Sequence, residues 1–173
     1  FEALKEFQAL LKSYGHTLSC LRTDGASEFN SVDFNSFCID NCIRREFSCP
    51  HSSGQNGVVE RVIRMLVAKA RAMMIEAKLP NKFWAEAFAH AAWINNRLPL
   101  KSIDGDIPHV RLHGKSPDWS HARTFGARCF VHQIDQVERK KGNYFSERST
   151  EGIYLGPCFD RKGFRVHVNK KSS

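Results

Sequence analysis

An aspartate and a glutamate, Asp24 and Glu60, are separated by thirty-five residues in a chain of 173. Carboxylates are hard oxygen donors. Magnesium is usually held by one or two of them while it keeps water and substrate phosphate oxygens in its other positions. Two such ions about 3.5–4 Å apart clamp an in-line displacement at phosphorus, and a third carboxylate normally bridges them. Spacing alone does not select this pair, because the chain has 18 acidic residues. A glutamate at a helix start is often only a favourable charge on the helix dipole.

The elements that carry the two acids sharpen the choice. Phe1, Leu4, Phe7, Leu10 and Leu11 recur at helical spacing, so the chain opens on a helix. His16 to Arg22 reads as a short, mostly buried strand through Leu18, Cys20 and Leu21, ending at Thr23 and Asp24. Ser31 to Asp40 reads as a helix with Ser31 as N-cap and Asp33 in the first turn. Ile43 to Ser48 are extended again. Pro50 to Gly57 has the composition of an exposed loop and leads into a helix from Val58 to about Ala77.

On that helix Val62, Ile63, Leu66, Val67, Ala70, Met73 and Met74 fall in one arc, which is the expected core face. Glu60, Arg64 and Arg71 line the edge of the arc, about 40° apart at most. Asp24 past a strand end and Glu60 in a first helical turn can converge on one cleft. A further helix after Pro80 carries Phe83, Trp84, Ala87, Phe88, Ala91 and Ile94 and stops before Pro99; its aromatics read as core. Lys101 to Ser120 reads as a connecting segment with little regular structure. Beyond Phe125, Arg128 to Ile134, Glu151 to Leu155 and Phe164 to Val168 read as strands of a small β-unit. Its basic turns, with Arg139, Lys140 and Lys141 and with Arg161 and Lys162, could touch phosphate.

The segment Leu21-Arg-Thr-Asp-Gly-Ala-Ser-Glu-Phe29 resembles the LRSDNGGEF signature of copia-type retrotransposon integrases. Pro50-His-Ser-Ser-Gly-Gln-Asn-Gly-Val-Val-Glu-Arg61 resembles their PYTPQQNGVAER, and Leu79-Pro-Asn-Lys-Phe-Trp-Ala-Glu-Ala87 and Asn96-Arg-Leu-Pro99 match in family order. Phe125-Gly126 and Gly152-Ile-Tyr-Leu-Gly156 look like the small SH3-like barrel that follows this family's core. The resemblance implies an α/β fold: an N-terminally truncated ribonuclease H-like core with long helices over 1–120, then a small, incomplete SH3-like β-domain over 121–173.

It also implies a function, DNA 3′-end processing and strand transfer, with two Asp and one Glu holding two magnesium or manganese ions in the complete protein. Asp24 matches the second Asp and Glu60 the Glu. Gln55 and Asn56 match the loop that approaches DNA, and Arg61 and Arg64 are placed to contact phosphate. The implied partners are element-end and target DNA and further copies of the chain, with integration taking place in the nucleus. His51 stands where the family often has Tyr.

Two departures limit these expectations. The family's first catalytic Asp lies on a strand upstream of the helix that opens this chain, so the polypeptide is expected to start inside a larger protein and to be inactive and poorly stable alone. Just after Asp24, Asn-Gly-Gly becomes Gly25-Ala26-Ser27, where Ala and Ser resist the positive φ that glycine permits. The alternative function is a non-catalytic transposon remnant or a co-opted DNA-binding or interaction module.

Composition agrees with a nucleic-acid partner without requiring one. Lys and Arg number 26 against 18 acids, for a net charge of +8, and cations that neutralise phosphates release condensed counterions. No apolar run approaches the roughly 18–20 residues of a membrane span and no signal peptide is present, so an intracellular protein with reduced cysteines is expected. Cys38, Cys42, Cys49 and His51 are zinc-ligand types whose spacing fits a zinc site poorly. Cys38 and Cys42 read instead as half-buried thiols on one helix face.

Overall fold

A computed structural model describes residues 1–24, 26–47, 57–120, 122–132, 149–159 and 161–168. The chain is α/β, as the sequence predicts. It divides into two compact units, residues 1–64 and 65–173. Among the described residues no helix is long and apolar enough to cross a membrane.

In the first unit, α1 spans Glu2–Ser13, β1 Cys20–Thr23, α2 Val32–Asp40 and β2 Arg44–Phe47. The strands pair in parallel with Cys20 opposite Arg44 and Thr23 opposite Phe47. A parallel pair needs a crossover, and α2 supplies it. The Phe34 amide donates to the Ser31 side chain at 3.2 Å, the cap read from the sequence, with Asp33 in the first turn. Phe34, Cys38 and Ile43 form the buried core, flanked by Leu4, Leu18, Leu21, Phe29 and Phe37. The rings of Phe1 and Phe29 approach Phe34 at 5.6 Å between centroids. The Arg45 guanidinium lies over the Phe34 and Phe47 rings and donates to Asn35 Oδ1 and the Phe29 carbonyl.

Several expectations need correction here. β1 begins at Cys20 rather than His16, because its ladder extends only as far as the four residues of β2. On α1 the residue that is buried is Gln8, whose Nε2 donates to Asn41 Oδ1 at 3.4 Å, while Phe7 and Leu10 stay nearly half exposed. Cys38 is fully buried, but Cys42 is exposed and lies past the helix with a φ of 55°.

In the second unit the packing is built on α4, Trp84–Asn95, which follows a short 3-10 turn over Asn81–Phe83. Ala87 and Ala91, four residues apart and fully buried, present a smooth face on which Phe125 and Leu155 close. Leu66, Ala70 and Phe83 complete this core, with Met65, Met73, Met74 and Ala77 beside it. Leu66 and Ala70 belong to α3, Gly57–Glu76, within which the division between units falls. Burying a large apolar side chain contributes about 1.5–3 kcal/mol. The expected core arc of α3 is only partly realised, since Val62, Ile63 and Val67 are exposed. Trp84, read as core, is 67% exposed.

The segment read as irregular holds a 3-10 turn at Lys101–Ile103 and a helix α5, Pro108–His113. Pro108 opens α5, and Gly114 closes it at φ 67° with its N–H on the Val110 carbonyl at 2.8 Å. Strands β3 Arg128–His132, β4 Ser149–Pro157 and β5 Phe164–Val168 form an antiparallel sheet in the order β3-β4-β5. Tyr154 pairs with Val166 and Gly156 with Arg165, so Leu155 is an extra residue on β4. The bulge turns Leu155 into the core against α4. Ile134, Arg139, Lys140 and Lys141 lie outside the described residues.

Candidate active site

Asp24 is the first residue past β1, and Glu60 lies in the first turn of α3. Both belong to the first unit and both line one cavity of about 560 Å³. The apolar part of its wall includes Leu4, Leu21, Phe29, Phe34 and Val59, and Arg22 and Glu28 also line it. Asp24 and Glu60 are exposed to solvent. The Ala26 N–H donates to Asp24 Oδ1 at 3.3 Å, an Asx-type turn that orients the carboxylate.

That turn bears on the second departure at Ala26. Ala26 takes φ −61° and ψ 142°, an extended conformation natural to alanine, and Ser27 starts a 3-10 turn over Ser27–Asn30. The chain leaves Asp24 without the positive φ at Ala26 that a glycine would permit. Gly25 lies outside the described residues.

Arg22 is held beside the cavity by Glu46. Its Nη2 donates to Glu46 Oε2 at 2.7 Å, while Arg44 Nη2 donates to Glu46 Oε1 at 2.8 Å. The Arg22 hydrogen bonds, then the Cys20 side chain and the Arg22 charge, hold the Glu46 carboxyl below its ordinary range. Glu46 thus remains an anion that anchors two arginines.

Carboxylate oxygens are the donor type that a hard divalent cation takes. Magnesium asks for one or two carboxylates and open positions for water and phosphate, and Asp24 and Glu60 offer exposed oxygens to one cavity. Among the described residues no group of three or more His, Cys, Asp or Glu is gathered as a metal cluster. Arg61 and Arg64 are exposed on α3 and are not among the residues lining the cavity. Gln55, Asn56 and His51 lie outside the described residues. Glu28 was not singled out by sequence reasoning, although an acid four residues after Asp24 was the available signal.

No family model matches the chain. Its sequence is 33% identical over 167 residues to the retrovirus-related Pol polyprotein from transposon TNT 1-94 of Nicotiana tabacum, covering 96% of this chain. It is 27% identical over 177 residues to the corresponding polyprotein from transposon RE1 of Arabidopsis thaliana, covering 98%. The chain's homologues are copia-type retrovirus-related Pol polyproteins. It spans 12% of the length of each of these two relatives. Among solved structures it is similar to a chain of the simian T-cell lymphotropic virus intasome in complex with the PP2A regulatory subunit B56 gamma. That match has a TM-score of 0.50 at 16% identity, over 96% of this chain and 61% of the other, and it shows a shared fold.

Proposed function

We infer that this chain is part of an integrase catalytic core that, in the complete protein, carries out DNA 3′-end processing and strand transfer. The observation that carries this reading is the convergence of Asp24 and Glu60 on one cavity. Homology to retrotransposon polyproteins supports it. The donor chemistry suits Mg2+ or Mn2+, which would polarise a phosphoryl oxygen and lower the pKa of bound water.

The chain's own residues position and neutralise. The Asx turn fixes the direction of Asp24, and the N-terminal turn of α3 presents Glu60 at a dipole end that favours its charge. Arg61 and Arg64 follow on the same helix as cations for DNA phosphates, and Gln55 and Asn56, just before it in sequence, are the amides that meet DNA. Two metal ions need a third bridging carboxylate beside Asp24 and Glu60, so on this reading the 173-residue polypeptide alone is inactive. The strands of the 121–173 segment are an SH3-like β-unit docked on α4 through Phe125 and Leu155, and the complete protein works as a multimer on DNA in the nucleus.

The test is Glu60→Gln in the full-length protein, assayed for end processing and strand transfer with Mg2+. Both activities fall to background on this reading. Unchanged processing overturns the assignment of Glu60, and a wild-type protein without metal-dependent processing returns the reading to a non-catalytic remnant.

A further inference from the structure

The tip of the β4–β5 hairpin carries chemistry that the carboxylate site does not use. Phe159 and Phe164 are 63% and 46% exposed, and Arg161 and Lys162 are exposed between them. The Cys158 N–H donates to the Gly163 carbonyl at 3.0 Å and closes the turn. Gly163 takes a φ of +148° that side chains rarely adopt, so the turn is built around it.

Beside the tip lies a cavity of about 600 Å³ lined in part by Arg161, Lys162, Phe164, Arg165 and His167. Such a volume is in the range of small-molecule sites, about 300–1,000 Å³. Arg165 Nη2 donates to Glu86 Oε1 at 3.0 Å, which pins its guanidinium towards α4. The His167 imidazole stands edge-on to the Phe83 ring at 5.0 Å. Glu86 is the one acid among the described lining residues, against Arg161, Lys162 and Arg165.

This combination narrows the ligand. Cations alone would suit any anion, but exposed rings beside them ask for a planar partner as well. Bases in a duplex are stacked on one another, whereas an unpaired base offers its face to an aromatic side chain. We propose that the hairpin tip and its cavity bind a nucleotide, with its phosphate on Arg161 and Lys162 and its base against Phe164. The nucleotide is either an unpaired residue of a nucleic-acid strand or a free mononucleotide. The site is independent of Asp24 and Glu60 and goes beyond the strand-transfer reading.

Fluorescence anisotropy on the full protein tests it, with a labelled single-stranded oligonucleotide and its duplex, in EDTA so that divalent metal plays no part. Lys162→Ala is expected to reduce the slope of log K against log[salt] for the single strand by about 0.7. Phe164→Leu is expected to weaken single-strand binding about 5- to 100-fold and to leave the duplex unchanged. Displacement of the oligonucleotide by AMP identifies a free-nucleotide site; displacement only by a second oligonucleotide identifies an unpaired residue of a strand. The proposal is overturned if both variants bind the single strand like wild type, or if Phe164→Leu weakens the duplex equally. Phe164 packs edge-on against Tyr154, so a misfolded Phe164→Leu leaves the exposed Lys162→Ala as the deciding variant. Processing by Glu60→Gln is measured separately with Mg2+, so failure of the catalytic reading leaves the binding result in EDTA standing, and the reverse holds as well.

Discussion

The imidazole of His90 lies nearly parallel to the indole of Trp93, with ring centroids 5.8 Å apart and 14° between the planes. Phe125 and Tyr154 close around it at 5.7 and 5.8 Å. His90 is 2% exposed and its Nδ1 has no hydrogen-bond partner among the described residues. Burial pushes its pKa below the ordinary value of about 6.5. Below that value the unfolded chain takes up a proton that the folded chain resists, so the stability is whole above it and declines as pH falls towards the folded pKa. Thermal unfolding followed from pH 7.5 to 5 should show a falling Tm. His90→Phe should flatten the profile in part, since burial and then His113 also hold His109 low.

Gly126 is locked twice. Its φ is +79°, and a Cβ there would lie 2.2 Å from the Cβ of Ala77. Gly126→Ala is expected to destabilise the second unit by about 1–3 kcal/mol, read from urea unfolding. Adding Ala77→Gly should relieve the clash and recover part of the loss, leaving the cost of the backbone angle.

Ser31 caps α2 through its side-chain oxygen. Ser31→Ala should cost about 1 kcal/mol of stability, and Ser31→Asp should retain most of it. Equal stability of wild type and Ser31→Ala in chemical denaturation would show that the cap contributes nothing to this helix.

Asp24→Asn separates the turn from the charge. An asparagine side-chain oxygen also accepts the Ala26 N–H, so far-UV circular dichroism and the unfolding midpoint should stay within about 0.5 kcal/mol of wild type. Metal-dependent processing by the full protein should nonetheless disappear. A variant that keeps its activity would leave Asp24 with the turn as its only role.

The ion pair of Arg165 with Glu86 is partly solvated, with side-chain exposures of 41% and 22%. A double-mutant cycle should return a coupling of less than about 1 kcal/mol that shrinks as salt is added. A large, salt-independent coupling would show that solvent does not reach the pair.

The features legible in the sequence were those set by local chemistry. Ser31 and Asp33 specify the start of α2 within a few residues, and the alternation of Phe164 to Val168 specifies β5. The pairing of Asp24 with Glu60 in one cavity was legible because each sits at the end of an element with a strong local signal. Burial was harder to read. Gln8 is buried with its Nε2 on Asn41, far along the chain, and Trp84 is exposed although it opens an apolar helix, outcomes that local periodicity does not carry. α5 had its signals, Pro108 at the start and Gly114 at the end, but its six residues are too short for periodicity to show. The length of β1 was set by its partner β2 rather than by its own composition.

The extra residue at Leu155 governs more than its own packing. With it, Tyr154, Leu155 and Gly156 are buried in succession, and the register of β4 against β5 shifts by one residue. Strand parity decides which way everything beyond it points. Deleting Leu155 would restore an even count and turn Pro157 and the cationic tip over to the opposite face of the sheet. The aim of Arg161 and Lys162 is therefore encoded several residues away, at Leu155, as an odd number.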